Sequence, residues 1–213
     1  MSILLENGRY YHIYNRGNNK DVMFQTSSDY LYFMTLYKIF ISGIADTLSW
    51  CLMKNHFHFL VRIKDENEIG YLNPAHSNSR NLAEKWKVYS NQLSGVTKVL
   101  KPKPGMQFRH LFSTYTIYCN GLYNRTGSVI EKKYERSLVV DEEYLRTLFL
   151  YINSNPVKHS VSSHAEKYRW SSCKALVNRV SDDIVDHSFM IQYFESSKNF
   201  KSALDNYKPV NLT

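Results

Sequence analysis

Ile44–Met53 and His56–Ile63 are two runs of strand-forming residues with only Lys54-Asn55 between them. A two-residue connection sends the chain back antiparallel beside itself, so this stretch predicts a β-hairpin. Alternation then sorts the second strand. Phe57, Phe59 and Val61 share one face, which is apolar and belongs in a core, while His56, His58 and Leu60 share the other. Two imidazoles two residues apart on one strand face can converge on a single cation. They can equally be a hydrogen-bonded pair within a sheet, and the pair alone does not decide between the two.

The flanking chain supplies the rest of a domain. Tyr10-Tyr11-His12-Ile13-Tyr14-Asn15 reads as a strand that ends in the turn cluster Arg16-Gly17-Asn18-Asn19. Ser27-Ser28-Asp29 offers a helix N-cap, followed at helical spacing by Leu31, Met34, Tyr37, Lys38 and Ile41, up to Gly43. Lys64–Lys103 is polar and closed by Pro102 and Pro104. A helix near Leu82–Leu93 is expected there, with mobility around Gly70–Arg80 and Gly95–Gly105. Phe108–Tyr123 has a helical pattern, and Ser128–Val140 reads as a basic strand or hairpin. Asp141 caps a further helix, with Glu142 and Glu143 in its first turn, running to about Ser154 with Pro156 just past its end. Asp183–Phe200 reads as a last helix or helix pair. The order β, α, β–β, α, β, α predicts an α+β fold, a largely antiparallel sheet with helices packed on it.

That helix carries the second chemical candidate. Leu145, Phe149 and Ile152 form a core stripe, and Tyr144, Leu148, Tyr151 and Asn155 form the stripe beside it. Tyr151 and Asn155 stand at i and i+4 and project side by side. If their stripe faces the two histidines, Asn155 can complete a metal site through its carbonyl oxygen. Tyr151 then lies within reach of a phosphate held there.

Charge points to the partner. The 213-residue chain is long enough for one large domain or two small ones and has a net charge of +8. Between Val96 and Ser137, eight Lys and Arg stand against two Glu. A concentrated basic segment suits a polyanion, usually nucleic acid, and Tyr115, Tyr118, Tyr123 and Tyr134 lie within it. Aromatic faces beside cations suit single-stranded bases, although Tyr115 and Tyr118 are assigned to the core. The longest stretch free of Asp, Glu, Lys and Arg is His110–Asn124, 15 residues with Ser, Thr and Asn among them, so no membrane span is expected. Met1–Arg9 lacks an apolar signal region, and Cys51, Cys119 and Cys173 are odd in number and widely spaced. A reduced chain in the cytoplasm is expected, nucleoid-associated if its partner is DNA.

Several blocks together resemble a known family. Tyr10–Asn19 resembles the opening strand of the single-tyrosine insertion-sequence transposases, in their repetitive-extragenic-palindrome-associated (REP-associated) branch. Met53-Lys54-Asn55-His56-Phe57-His58-Phe59-Leu60-Val61 resembles the family's histidine-hydrophobic-histidine (HUH) block. Asn120–Gly127, Lys132-Lys133-Tyr134 and Glu143-Tyr144-Leu145 occur in the family's order. Tyr151-Ile152-Asn153-Ser154-Asn155-Pro156-Val157-Lys158-His159 resembles its Tyr-Ile-x-x-Asn-Pro-Val segment, and Trp170-Ser171-Ser172 the short block after it. The resemblance spans roughly Tyr10–Lys174. Lys54 stands where relatives often have Pro, and Ser128-Val129-Ile130 where many have a small residue followed by Leu-Phe.

The resemblance implies a ferredoxin-like HUH catalytic domain over residues 1–175 and a C-terminal helical extension over 176–213. It implies a single-tyrosine DNA transesterase that cuts and rejoins single-stranded DNA beside palindromic hairpins through a 5′-phosphotyrosine. Tyr151 would be the nucleophile, and His56, His58 and Asn155 the ligands of Mg²⁺ or Mn²⁺. A phenol titrates near pH ~10, so its attack needs activation, for which no proton acceptor is evident. The phosphate-contact candidates are Arg16, Lys101, Lys103, Lys132, Lys133 and Arg136. His12 is read as structural, near the site. Monomer and homodimer both occur in the family. The competing readings are a hydrolytic metallonuclease and a domesticated hairpin-binding protein without catalysis.

Overall fold

The computed structural model describes residues 4–90, 100–180 and 182–208. In chain order the elements are β1 (Tyr10–Arg16), α1 (Ser27–Phe40), β2 (Ala45–Met53), β3 (His56–Ile63), β4 (Tyr71–Leu72), α2 (Leu82–Lys85) and β5 (Val88–Tyr89). They continue as α3 (Pro104–Leu122), β6 (Glu135–Leu138), α4 (Glu142–Lys158), α5 (Cys173–Asn178), α6 (His187–Phe194) and α7 (Ser197–Asp205). The hairpin forms as expected, β2 against β3 across Lys54-Asn55, with Met53 opposite His56 and a register slip between Thr47 and Ser49. β1 lies antiparallel beside β3, and β6 antiparallel beside β1, so the sheet order is β2-β3-β1-β6. This is the α+β, ferredoxin-like arrangement. β4 and β5 form a separate small ribbon.

The alternation read from β3 holds. Phe57 and Phe59 enter the core between the sheet and α1 and α3: Phe59 stacks on Tyr37 at 4.3 Å between centroids, and Phe57 on Phe112 at 5.3 Å. Asp29 joins these two helices. It is fully buried, and its carboxylate accepts the backbone N–H groups of Gln25 and Thr26 and the Tyr123 hydroxyl at 2.7 Å. The N-cap of α1 is therefore Thr26 rather than the expected Ser27-Ser28-Asp29, with Asp29 closing a capping box from inside the helix.

α4 packs on the opposite face, against β2 and β3. Its Phe149 ring meets Phe189 and Phe194 of α6 and Phe200 of α7, so the C-terminal helices share its core. The Trp170-Ser171-Ser172 block sets how α4 is turned. Trp170 O accepts Leu52 N–H at 2.9 Å, and Ser172 N–H donates to Trp50 O at 3.0 Å, so the block runs along β2. Ser172 Oγ, itself fully buried, donates to Asn153 Oδ1 at 3.0 Å. Asn153 is thereby held towards β2. Tyr151 and Asn155, two residues to either side, are turned to a different face of the helix.

Three expectations are corrected. α4 does not stop near Ser154 but continues to Lys158 with Pro156 inside it. In the last turn Pro forfeits one intrahelical bond, and the chain closes beyond it through His159 N–H to Asn155 O and Val161 N–H to Pro156 O. Ser128–Val140 is neither one strand nor a hairpin. Ile130 makes a single bridge to Gly17, Lys132 and Lys133 lie in a bend, and only Glu135–Leu138 joins the sheet. Between these points Tyr134 packs on Phe108 and Phe112 of α3, which draws the chain off the sheet edge. The helix expected near Leu82–Leu93 ends at Lys85, and Val88 instead pairs with Leu72. Val88 fills space that exists because residue 43 is Gly: a Cβ there would come within 2.3 Å of Val88 Cγ1. Gly70–Arg80 holds β4 and a short 3₁₀ turn at Pro74–His76. Leu93, Gly95 and Val96, which bound ranges in the sequence reading, lie outside the described residues.

Candidate active site

Register brings the polar residues of three strands to one place. His58 is opposite Tyr14, His56 opposite Arg16, and Tyr14 opposite Glu135, and directly paired residues share a face. α4 lies over that face. Between them is a cavity of about 680 Å³ lined by His56, His58 and Tyr151, with Tyr14, Arg16, Lys20, Lys158 and His159 around them and Glu131 and Glu135 on the β6 side. The Tyr151 ring stands edge-on to His58, 5.6 Å between centroids. Lys158 Nζ, two turns along α4, sits 4.7 Å above the Tyr151 ring.

Asn155 is fully buried. Its Nδ2 donates to Tyr151 O at 3.1 Å, while Oδ1 has no hydrogen-bond partner among the described residues. A buried carbonyl oxygen without a donor signals a missing electropositive partner. His56 stands next to this amide, which favours the ring's charged form, but burial and the neighbouring His159 and Lys158 outweigh it and lower the His56 pKa to about 4. Burial likewise holds His58 well below its ordinary value and lowers His12 to about 3. The imidazoles are therefore neutral at pH 7, the form that coordinates metals. Two neutral imidazoles and an orphaned amide oxygen fit a divalent cation.

These depressed values carry a stability consequence. The ordinary histidine value is 6.5, so between there and about 3 to 4 the unfolded chain binds protons that the folded chain refuses. Stability is fully present above pH 6.5 and lost as pH falls through that window, by roughly 1.4 kcal/mol per pH unit for each ring held neutral. In the presence of a chelator the melting temperature is expected to drop between pH 7 and pH 5. The drop should shrink in His12→Phe. A flat profile would mean that the rings take up protons within the fold.

Of the six cations named as phosphate contacts, the cavity is lined by Arg16, whose Nε donates to Glu131 Oε1 at 2.6 Å. Lys132 and Lys133 are exposed in the bend before β6, and Lys132 borders a second hollow of about 400 Å³ together with Arg109. Lys103 is exposed just ahead of α3. Lys101 donates to the backbone oxygens of Glu66 and Ile69, at 3.1 and 2.5 Å, and lies over the Tyr71 ring, which ties down the segment before α3. Arg136 pairs with Ile13 in register and so belongs to the face turned away from the histidines. Its Nη1 donates to Tyr134 Oη at 2.8 Å. The sequence reading gave no role to Lys20, Lys158 or His159. The latter two stand within the quoted Tyr151–His159 segment, and carrying the helix through Pro156 places Lys158 at i+7 from Tyr151. No comparable local signal marks Glu131 and Glu135, which enter the cavity only through strand pairing.

No protein-family model matches this sequence, and no curated protein sequence does. Among solved structures the chain is similar to a REP-associated tyrosine transposase bound to a REP hairpin. The TM-score is 0.54 at 12% sequence identity, over 87% of this chain and 92% of that one. A bacterial tRNA(His) guanylyltransferase-like protein in complex with ATP also matches, with a TM-score of 0.38 and 8% identity over 99% of this chain and 74% of that one. The first likeness is one of fold, and the second is too distant to support an argument. Among the described residues, no helix is long and apolar enough to cross a membrane.

Proposed function

We propose that this chain is a metal-dependent DNA transesterase of the REP-associated tyrosine transposase kind, acting on single-stranded DNA beside a hairpin. The observation that supports it most is the meeting of Tyr151, His56 and His58 in one cavity, with the unpartnered oxygen of Asn155 buried beside His56. The fold likeness to a transposase that binds a REP hairpin agrees with it.

In this reading the Tyr151 oxygen attacks the phosphorus of a phosphodiester. The phenol gives up its proton as the new bond joins Tyr151 to the phosphorus, the bond to the 3′-oxygen breaks, and that oxygen takes up a proton and leaves as a 3′-hydroxyl, so the proton count is unchanged. The 5′-phosphotyrosine keeps the energy of the phosphodiester, so rejoining to another 3′-hydroxyl needs no nucleotide cofactor. Duplex pairing would obstruct in-line approach, hence a single strand at the cut. Arg16, Lys20 and Lys158 put positive charge on the cavity wall where the phosphate would enter. His56, His58 and Asn155 would hold Mg²⁺ or Mn²⁺, and neutral ligands leave the cation its full charge, with imidazole favouring Mn²⁺. When bound, the cation supplies Lewis-acid polarisation of a non-bridging phosphate oxygen.

The test is to incubate the protein with single-stranded, hairpin-forming DNA from the flanks of its own gene and Mn²⁺. A protein–DNA band that survives denaturant is expected. Cleavage without that band would indicate a hydrolytic nuclease, and hairpin binding without cleavage a binding protein. Binding itself should weaken with salt. Contacts by Arg16, Lys20, Lys158, Lys132 and Lys133 give a slope of about −3.5 for log K against log salt, at roughly −0.7 per contact to a single strand. A salt-independent affinity would reduce these cations to a solvated face.

A further inference from the structure

His12 lies behind the cavity wall. It is 1% exposed and does not line the cavity, whereas His58 does. Its Nε2 is 2.9 Å from His58 Nδ1, and the two rings lie edge to edge, centroids 5.1 Å apart and planes within 22° of each other, as an in-plane bond between ring nitrogens requires. Tyr14 stacks on His12 with centroids 4.5 Å apart, and the Tyr151 ring stands near-perpendicular to it with centroids 6.4 Å apart, so the His12 ring is held from more than one side. A single hydrogen bond joins the two imidazoles and holds one proton. If His58 donates it from Nδ1, the lone pair of His58 is on Nε2. If His12 donates, His58 carries its proton on Nε2 and has no lone pair left there.

His56 has the same arrangement with a different partner. Its Nδ1 is 2.8 Å from Asn55 Oδ1. An amide oxygen only accepts, so His56 Nδ1 carries the proton and Nε2 the lone pair. Each histidine of the pair thus has its Nδ1 engaged by a neighbour, one from the hairpin turn and one from β1. Metal-binding histidines are oriented in this manner by partners on the nitrogen that does not bind.

We propose that His12 is a positioning residue: by accepting the Nδ1 proton of His58 it fixes the tautomer that leaves His58 Nε2 free for a cation, as Asn55 does for His56. The proposal rests on the reading of His56 and His58 as metal ligands. In that reading a hydrogen-bonded sheet histidine and a metal ligand are the two ends of one device, His12 and His58.

Two measurements test it. The first is the tautomer of His58 in metal-free protein, read from long-range ¹H–¹⁵N imidazole correlations and assigned as the set missing from His58→Asn. The Nδ1–H form is expected in the wild type and lost in His12→Phe, which keeps an aromatic ring and removes the acceptor. A wild-type His58 protonated on Nε2 overturns the proposal. The second is Mn²⁺ alone, titrated by calorimetry. His12→Phe should bind about 10- to 100-fold more weakly, and His12→Gln, which returns an acceptor, should recover most of the loss. Wild-type affinity in a folded His12→Phe overturns the positioning role and leaves the metal reading standing. A wild type that takes up no Mn²⁺ overturns both. If His12→Phe fails to fold, the wild-type tautomer and the Gln variant still decide: loss of Mn²⁺ affinity in folded His12→Gln, equal to that of His58→Asn, overturns it.

Discussion

Tyr151→Phe is expected to fold, to bind hairpin DNA with near wild-type affinity, and to lose the covalent adduct and strand transfer together. The substitution removes one oxygen and almost no volume. It keeps the ring that stands edge-on to His58 and under Lys158 Nζ. Removing a nucleophile should cost more than about 10³-fold in rate, because no other interaction replaces the bond it forms. Three other tyrosines serve as controls. Tyr14 lines the same cavity, Tyr144 shares the stripe of Tyr151, and Tyr134 bonds to Arg136 on the other side of the sheet. Phe at any of these should leave an adduct. Cutting at wild-type rate without an adduct in Tyr151→Phe makes water the nucleophile. A persisting adduct means that another tyrosine is used, with Tyr14 the first to examine.

His56→Ala and His58→Ala are expected to abolish cleavage while hairpin binding stays close to wild type, since the cavity-lining cations remain. Chelation should do the same to the wild type, and Mn²⁺ should restore the wild type but neither variant. His56→Ala is the cleaner of the two, because His56 is only partly buried. His58→Ala also strips the buried His12 of its partner, at a stability cost of about 1–3 kcal/mol, so its melting temperature must be measured alongside. Full cleavage by either variant removes the proposed metal site.

Local rules explain what was legible in the residues themselves. Lys54-Asn55 admits only a tight reversal, and period-two alternation divides Phe57 and Phe59 from His56 and His58 whatever the strand pairs with. The i, i+4 spacing puts Tyr151 beside Asn155 in any helix. The strand and helix order was enough for an α+β fold with a largely antiparallel sheet, and the solved structure of similar fold agrees with it.

Distant parts of the chain decided the rest. Whether the Tyr151 stripe meets the histidines depends on the rotation of α4, set by Ser172 on Asn153 and by Phe149 against Phe189, Phe194 and Phe200. Arg136 and Glu135 are neighbours in sequence, yet pairing with β1 sends one towards α3 and the other into the cavity. Lys101 reads as a free cation until the backbone oxygens of Glu66 and Ile69 are found around its ammonium. His12 could be placed near the site from its strand, but only the register of β1 on β3, with His12 opposite Leu60 and Tyr14 opposite His58, sets its Nε2 against His58 Nδ1. Alternation and helical spacing act over a few residues and are written in the sequence. The choice of sheet face, the turn of a helix about its axis and the partner of a buried polar atom come from packing between segments up to more than a hundred residues apart, as with Trp50 and Ser172, where no local pattern reaches.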